Sequence, residues 1–190
     1  MKVYRSLLVA ATFLVASGAW AQSVKAGFQF TISEPQGDLA ASDQLNMKTG
    51  YGAGFSILVP LQNGVALVPR LDYIGYSRTQ TVGSVDLDTK VTTWVGGLDL
   101  QFFTSGKTSQ GLYLAAGIGY GTGKFEISQG SQSVSGSASA FNIAAGLGYV
   151  FNSTVSAELR YTSAKYEPEF NGLKLSASCP ALNASLVFRF

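Results

Sequence analysis

The chain of 190 residues has no histidine and a single cysteine, Cys179, and only 13% of its residues are charged. Each shortage removes a class of chemistry. Without histidine there is no imidazole base to activate a serine, and with one thiol there is no structural metal site of thiolates and imidazoles. One cysteine also rules out an internal disulfide, and Cys179 is expected as a free thiol rather than an intermolecular crosslink. Soluble domains average about 25% charged residues, so this chain is short of what keeps a small water-facing surface apart from its neighbours. Basic and acidic residues number 13 and 11; runs of like charge are missing, so a nucleic-acid partner is not expected. Helical periodicity of convincing length is missing as well.

The first residues address the compartment. Lys2 and Arg5 precede the apolar run Leu7 to Ala16, and Ala19-Trp20-Ala21 has the small-x-small form that signal peptidase cuts. The run is too short to span a bilayer, which takes about 20 apolar residues. Residues 1–21 are therefore read as a cleaved secretory signal and 22–190 as a single mature domain. No cysteine follows the cut, so a lipoprotein anchor is not expected. Losing Lys2 and Arg5 leaves 11 basic against 11 acidic residues, a neutral mature chain.

What the chain does have is alternation. Val24, Ala26, Phe28, Phe30 and Ile32 share one face of an extended segment, against Lys25, Gly27, Gln29 and Thr31. The same period of two recurs around Tyr51–Val59, Leu67–Tyr73, Trp94–Phe102, Leu112–Tyr120, Phe141–Phe151, Val155–Tyr161 and Leu182–Phe190, eight segments in all. Pro69 breaks one rung of the third, since proline has no N–H to give a ladder. The links alternate too: long at Glu34–Lys48, Thr79–Asp88, Lys124–Ser137 and Glu167–Pro180, short at Pro60–Gly64, Thr104–Gln110 and Asn152–Thr154. In an up-and-down meander this gathers the long links at one end, the asymmetry of outer-membrane barrels.

Two inside-out barrels share such alternation, a soluble one with its apolar face inward around a ligand and a membrane one with that face to lipid. The polar face decides. It is mostly glycine, alanine and serine, which suits the narrow interior of an eight-stranded barrel and not a water-exposed surface. Tyr51, Tyr73, Trp94, Tyr120, Tyr149, Phe151 and Tyr161 are expected near strand ends as aromatic girdles. Parity turns Lys25, Arg70, Asp72, Asp99, Glu158, Arg160 and Arg189 inward, where isolated charges are costly and ion pairing is expected to fill the lumen. Gly117, Gly119 and Gly121 alternate along a strand and open no helix, so they cradle no phosphate. Asp86 and Asp88 are too few for calcium and are expected to be solvated.

The ending from Asn183 to Phe190, with Leu186 and Phe188, resembles the C-terminal assembly signal of bacterial outer-membrane proteins, with Ser185 where that signal usually has glycine. Gly111–Gly121 and Ile143–Thr162 look like strand-turn-strand units of the OmpA/OmpX-like superfamily of small barrels. The resemblance spans 22–190 and implies an all-β fold: an eight-stranded antiparallel up-and-down transmembrane β-barrel behind a signal peptide. It further implies a bacterial outer-membrane location, with membrane lipid and the outer-membrane assembly machinery as partners and a monomeric state. Lipid-modifying enzymes of such barrels use a histidine with a serine, so no enzymatic activity, cofactor or metal is expected. A structural or surface-interaction role follows, with a narrow conduit for small or hydrophobic solutes, as in OmpW-like barrels, and a loop-mediated adhesin as alternatives.

Overall fold

A computed structural model describes residues 24–41, 45–82, 85–130, 132–170, 173–174 and 176–190; the expected signal segment 1–21 lies outside them. Almost everything described is strand: β1 Lys25–Pro35, β2 Gly50–Pro60, β3 Val65–Val82, β4 Val85–Phe103, β5 Gly111–Gln129, β6 Gln132–Val150, β7 Val155–Tyr166, the short β8 Glu169–Phe170, β9 Leu173–Lys174 and β10 Ala177–Ser178, and β11 Ala181–Arg189. Each long strand pairs antiparallel with the next, and β11 lies between β7 and β1. The ring therefore closes through eight strands, β1 to β7 and β11, which leaves no edge at membrane depth.

Alternation fixes which face each side chain takes. Outward, Phe30 is 58% exposed, Ile118 59% and Phe141 68%, a degree of apolar exposure that suits hydrocarbon and not water. On β5 the outward series is Leu112, Leu114, Ala116, Ile118 and Tyr120, and then abruptly Thr122, Lys124, Glu126 and Ser128. The same change falls above Trp94 on β4, above Phe141 on β6 and above Tyr161 on β7. Tyr73 and Trp94, which stand opposite each other, and Tyr120 and Phe141, likewise opposed, thus mark the outer boundary of the apolar band.

That boundary corrects one expectation. Tyr73, Trp94 and Tyr120 are not near strand ends, because β3 to β6 continue past them, still paired, as far as Val82–Val85 and Gln129–Gln132. At about 3.3 Å per residue and a tilt of about 40°, this four-stranded wall rises about 20 Å above the girdle. Stretches read as the links Thr79–Asp88 and Lys124–Ser137 are strand for most of their length. Asp86 and Asp88 are exposed on the wall, accepting hydrogen bonds from the hydroxyls of Thr81 (2.7 Å) and Thr79 (2.6 Å).

The opposite side of the mouth is built otherwise. A short 3-10 turn, Gly37–Leu39, folds the first long link inward and buries Leu39 and Met47 against Tyr76, Phe125, Tyr166 and Cys179. The last long link docks on it: the Ser178 amide donates to Asp38 Oδ2 at 2.7 Å, and the Gln36 amide donates to the Pro180 carbonyl at 2.8 Å. Together they form an apolar cap. Burial, with a smaller push from Asp38, raises the Cys179 thiol to about 12. Cys179 is thus a buried free thiol, poor in the thiolate that reacts.

Pro69 costs two rungs and no register. β3 pairs with β2 at Ser56–Arg70 and again at Val59–Leu67 in the same frame. The pairings Ile57–Pro69 and Leu58–Val68 in between are the ones that need a Pro69 N–H.

Candidate functional site

The lumen is the concave region that gathers charge. At mid-height Arg70 of β3 spends its guanidinium on four neighbours. Nε donates to Asp72 Oδ2 at 2.7 Å, Nη1 to Asp99 Oδ2 at 2.9 Å and Glu158 Oε1 at 3.1 Å, and Nη2 to Gln29 Oε1 at 3.1 Å. Arg160 of β7 grips Asp99 with both terminal nitrogens, Nη2 at 2.7 Å from Oδ1 and Nη1 on Oδ2. Such forked, charge-assisted contacts are the geometry in which arginine outperforms lysine. Asp99 is fully buried and shared between the two arginines. Across from it Gly117 provides the room, since a Cβ there would overlap the Asp99 carboxylate.

Five of the seven inward charges, Arg70, Asp72, Asp99, Glu158 and Arg160, are thus joined in one cluster. Lys25 and Arg189 are not. Lys25 donates to the Ser153 carbonyl at 2.8 Å on the short-turn rim. Arg189 is buried with its guanidinium carbon 5.5 Å from the centre of the Tyr113 ring, a cation–π contact. Height explains the separation: parity gives the face of a residue, while its level along the barrel depends on strand stagger.

Tyr113 is the member that residue type alone did not bring out. Its hydroxyl donates to Glu158 Oε2 at 2.9 Å while its ring underlies Arg189, so one side chain joins the three-acid, two-arginine cluster to a further cation. The signal was its parity, opposite to the lipid-facing aromatics, and the glycine facing it. A Cβ on Gly148 would run into the Tyr113 ring.

The cluster divides the lumen. Above it, beneath the cap, lies a cavity of about 60 Å³ lined by polar groups including Thr31, Asn142, Thr162 and Asn183. Below it the space shrinks to about 10 Å³ beside Arg189 and Gln101, roughly the room for one water. Lower still, Leu58, Val68, Phe103, Tyr113 and Val150 fill the short-turn end. From the mouth to the short-turn end the lumen side chains thus fall in three layers: apolar, ionic, apolar. Among the described residues no cluster of potential metal ligands forms.

The family model for the outer membrane protein beta-barrel domain matches residues 6–190. The chain belongs to that family. Solved structures agree on the fold. The N-terminal β-barrel domain of OprF from Pseudomonas aeruginosa superposes with a TM-score of 0.55 at 17% identity, covering 87% of this chain and 97% of that one. Ail of Yersinia pestis, the attachment invasion locus protein, in complex with the heparin analogue sucrose octasulfate, gives 0.57 at 16%, covering 88% and 97%. Neisserial surface protein A gives 0.54 at 13% over the same shares. At these identities the likeness is one of fold. No curated protein sequence matches the chain. Family membership places the protein in the bacterial outer membrane, within its lipid.

Proposed function

We propose that this is a closed, non-enzymatic, monomeric barrel whose lumen is a structural plug and whose working surface is the wall above the membrane. The lumen carries this reading. Its charges are spent on one another within hydrogen-bonding distance, and apolar layers lie above and below them. A conducting pore needs a continuous wet path, and what remains between those layers is a cavity of about 60 Å³. Residues 1–21 act as the export signal, and Asn183, Leu186, Phe188 and Phe190 on the last strand present the chain to the outer-membrane assembly machinery. Support for the latter is that Leu186 on the strand that closes the ring, and Phe190 one residue past its end, are both exposed on the outside. Refolded protein in a planar bilayer is expected to give no stepwise conductance while running as a heat-modifiable band on gels. Discrete channels would overturn the plug in favour of a conduit.

One feature supports binding through the wall. Among the described residues β6 pairs with β7 only over Asn142–Val150, so its upper edge has no ladder partner, although β8 lies alongside. No charged residue occurs between Glu126 and Glu158. Edge strands are normally protected by charge, proline or a bulge, and this one carries QSVSGSASAF, residues 132–141, instead. Shortening the β5–β6 hairpin is expected to abolish binding of a surface partner and leave the barrel folded.

A further inference from the structure

Two stretches of the chain share a spacing: YGTGKFE, Tyr120 to Glu126, and YTSAKYE, Tyr161 to Glu167. Both lie along the upper parts of strands that rise from short turns, the first within β5 and the second running just past the end of β7. In each, the tyrosine faces outward on the girdle, a hydroxyl stands two residues higher (Thr122, Ser163), and a lysine two higher again (Lys124, Lys165). The intervening aromatics, Phe125 and Tyr166, point the other way, are buried in the cap and meet edge to face at 6.0 Å. That inward anchoring fixes the backbone, and so fixes the direction of each lysine. Each lysine is tied to the glutamate beyond it, Lys124 Nζ to Glu126 Oε2 at 2.9 Å and Lys165 Nζ to Glu167 Oε1 at 3.9 Å, and all four side chains are solvent-facing.

Girdle tyrosines sit where acyl chains give way to headgroups. Four residues further along a tilted strand, the ammonium groups stand about 10 Å above that level, among the headgroups of the outer leaflet. The glutamates lie on the far side of the lysines from the membrane, which leaves the membrane-facing side of each ammonium open. Below each ladder the strand continues as an apolar track, Ile118 and Leu114 on β5 and Leu159 on β7. We propose that each tyrosine–hydroxyl–lysine ladder is a docking site for a phosphate-bearing lipid headgroup of the outer leaflet. The acyl chains lie on the apolar track, the phosphate meets lysine and hydroxyl, and the glutamate sets how strongly.

The test counts bound lipid by native mass spectrometry of the refolded full barrel in detergent, using bisphosphorylated lipid A and fully dephosphorylated lipid A as probes. Wild type is expected to prefer the bisphosphorylated form, and K124Q/K165Q to lose about fivefold of that affinity at each of the two sites while binding the dephosphorylated form as before. E126Q/E167Q is expected to bind the phosphorylated lipid as tightly as wild type or more tightly. Because Lys124, Lys165 and Glu167 are exposed and Glu126 is only half-buried, the variants are expected to keep heat-modifiability, which serves as the folding control. An unchanged K124Q/K165Q overturns the proposal, as does a loss in E126Q/E167Q as large as that of the lysine variant. Displacement of the lipid by millimolar inorganic phosphate also overturns it, since the site would then read a free anion and not a lipid.

Discussion

The two sides of the barrel mouth start from links of similar length and end differently. Between β3 and β4, and between β5 and β6, the chain goes on zipping and raises a wall. Between β1 and β2, and between β7 and β11, it turns inward and makes a cap. Composition separates them. The wall stretches have no proline and alternate, as in Thr79, Thr81 and Lys124, Glu126 against Phe125, Ile127. The cap stretches carry Pro35, Pro168 and Pro180, each of which withholds a ladder amide, and Gly37 at a positive φ of 57°, which turns the chain out of the pleat. One end of a single sheet thus serves two purposes, projection and closure, and the division follows from where proline and glycine fall.

The largest effect is expected where both sides depend on the same layer, the ion cluster beneath them. Arg160→Ala leaves Asp99 and Glu158 buried with one arginine fewer, and removing one partner of a buried pair costs about 3–5 kcal/mol. Urea unfolding of the refolded barrel, followed by loss of the heat-modifiable band, is expected to move by that amount. An unchanged midpoint would mean that the cluster is ornament.

Next in size comes the cap. Leu39→Ala removes a buried side chain from it, at about 2–4 kcal/mol where the site does not collapse, and less if it does. The sharper readout is Cys179, which maleimide is expected to modify slowly in the wild type because the thiol is buried and its ionisation is raised to about 12. A raised thiol value means little thiolate at neutral pH, with reactivity returning only as pH climbs towards it. Leu39→Ala is expected to speed the labelling at fixed pH; equal rates would show that the cap does not shield the thiol.

Smallest is the effect of shortening the wall. Trimming only the tip of the β5–β6 hairpin, the pairs from Ile127–Val134 outward, removes strand that stands above the lipid, outside the closed ring and beyond the cap residue Phe125. Its unfolding midpoint is expected to stay within about 0.5 kcal/mol of wild type, the usual range for surface change. A large loss would make the wall part of the barrel's stability and erase the contrast with the cap.

Face was legible in the sequence and height was not. Parity put Arg70, Asp99, Glu158 and Arg160 inward, because a period of two leaves no choice once the apolar face meets lipid. Which inward charges meet depends on the stagger between strands many residues apart, and so Lys25 and Arg189, read with the others, stand lower and apart. Tyr113 was visible as an inward aromatic, but its double duty to Glu158 and Arg189 required the fold. The cap was invisible for another reason. Leu39 and Met47 are lone apolar residues in a polar link, with no period to announce that they are buried. In the wall, sparse apolar residues made strand read as loop, although the alternation was there.

The proline in β3 has a mechanical meaning. Where the Ile57 carbonyl finds no amide, the cylinder is a zip with one tooth missing, turned towards oil. If this barrel ever breathes, it opens first along the line between its second and third staves, and deuterium reaching the flanking amides ahead of all the others would trace that tear.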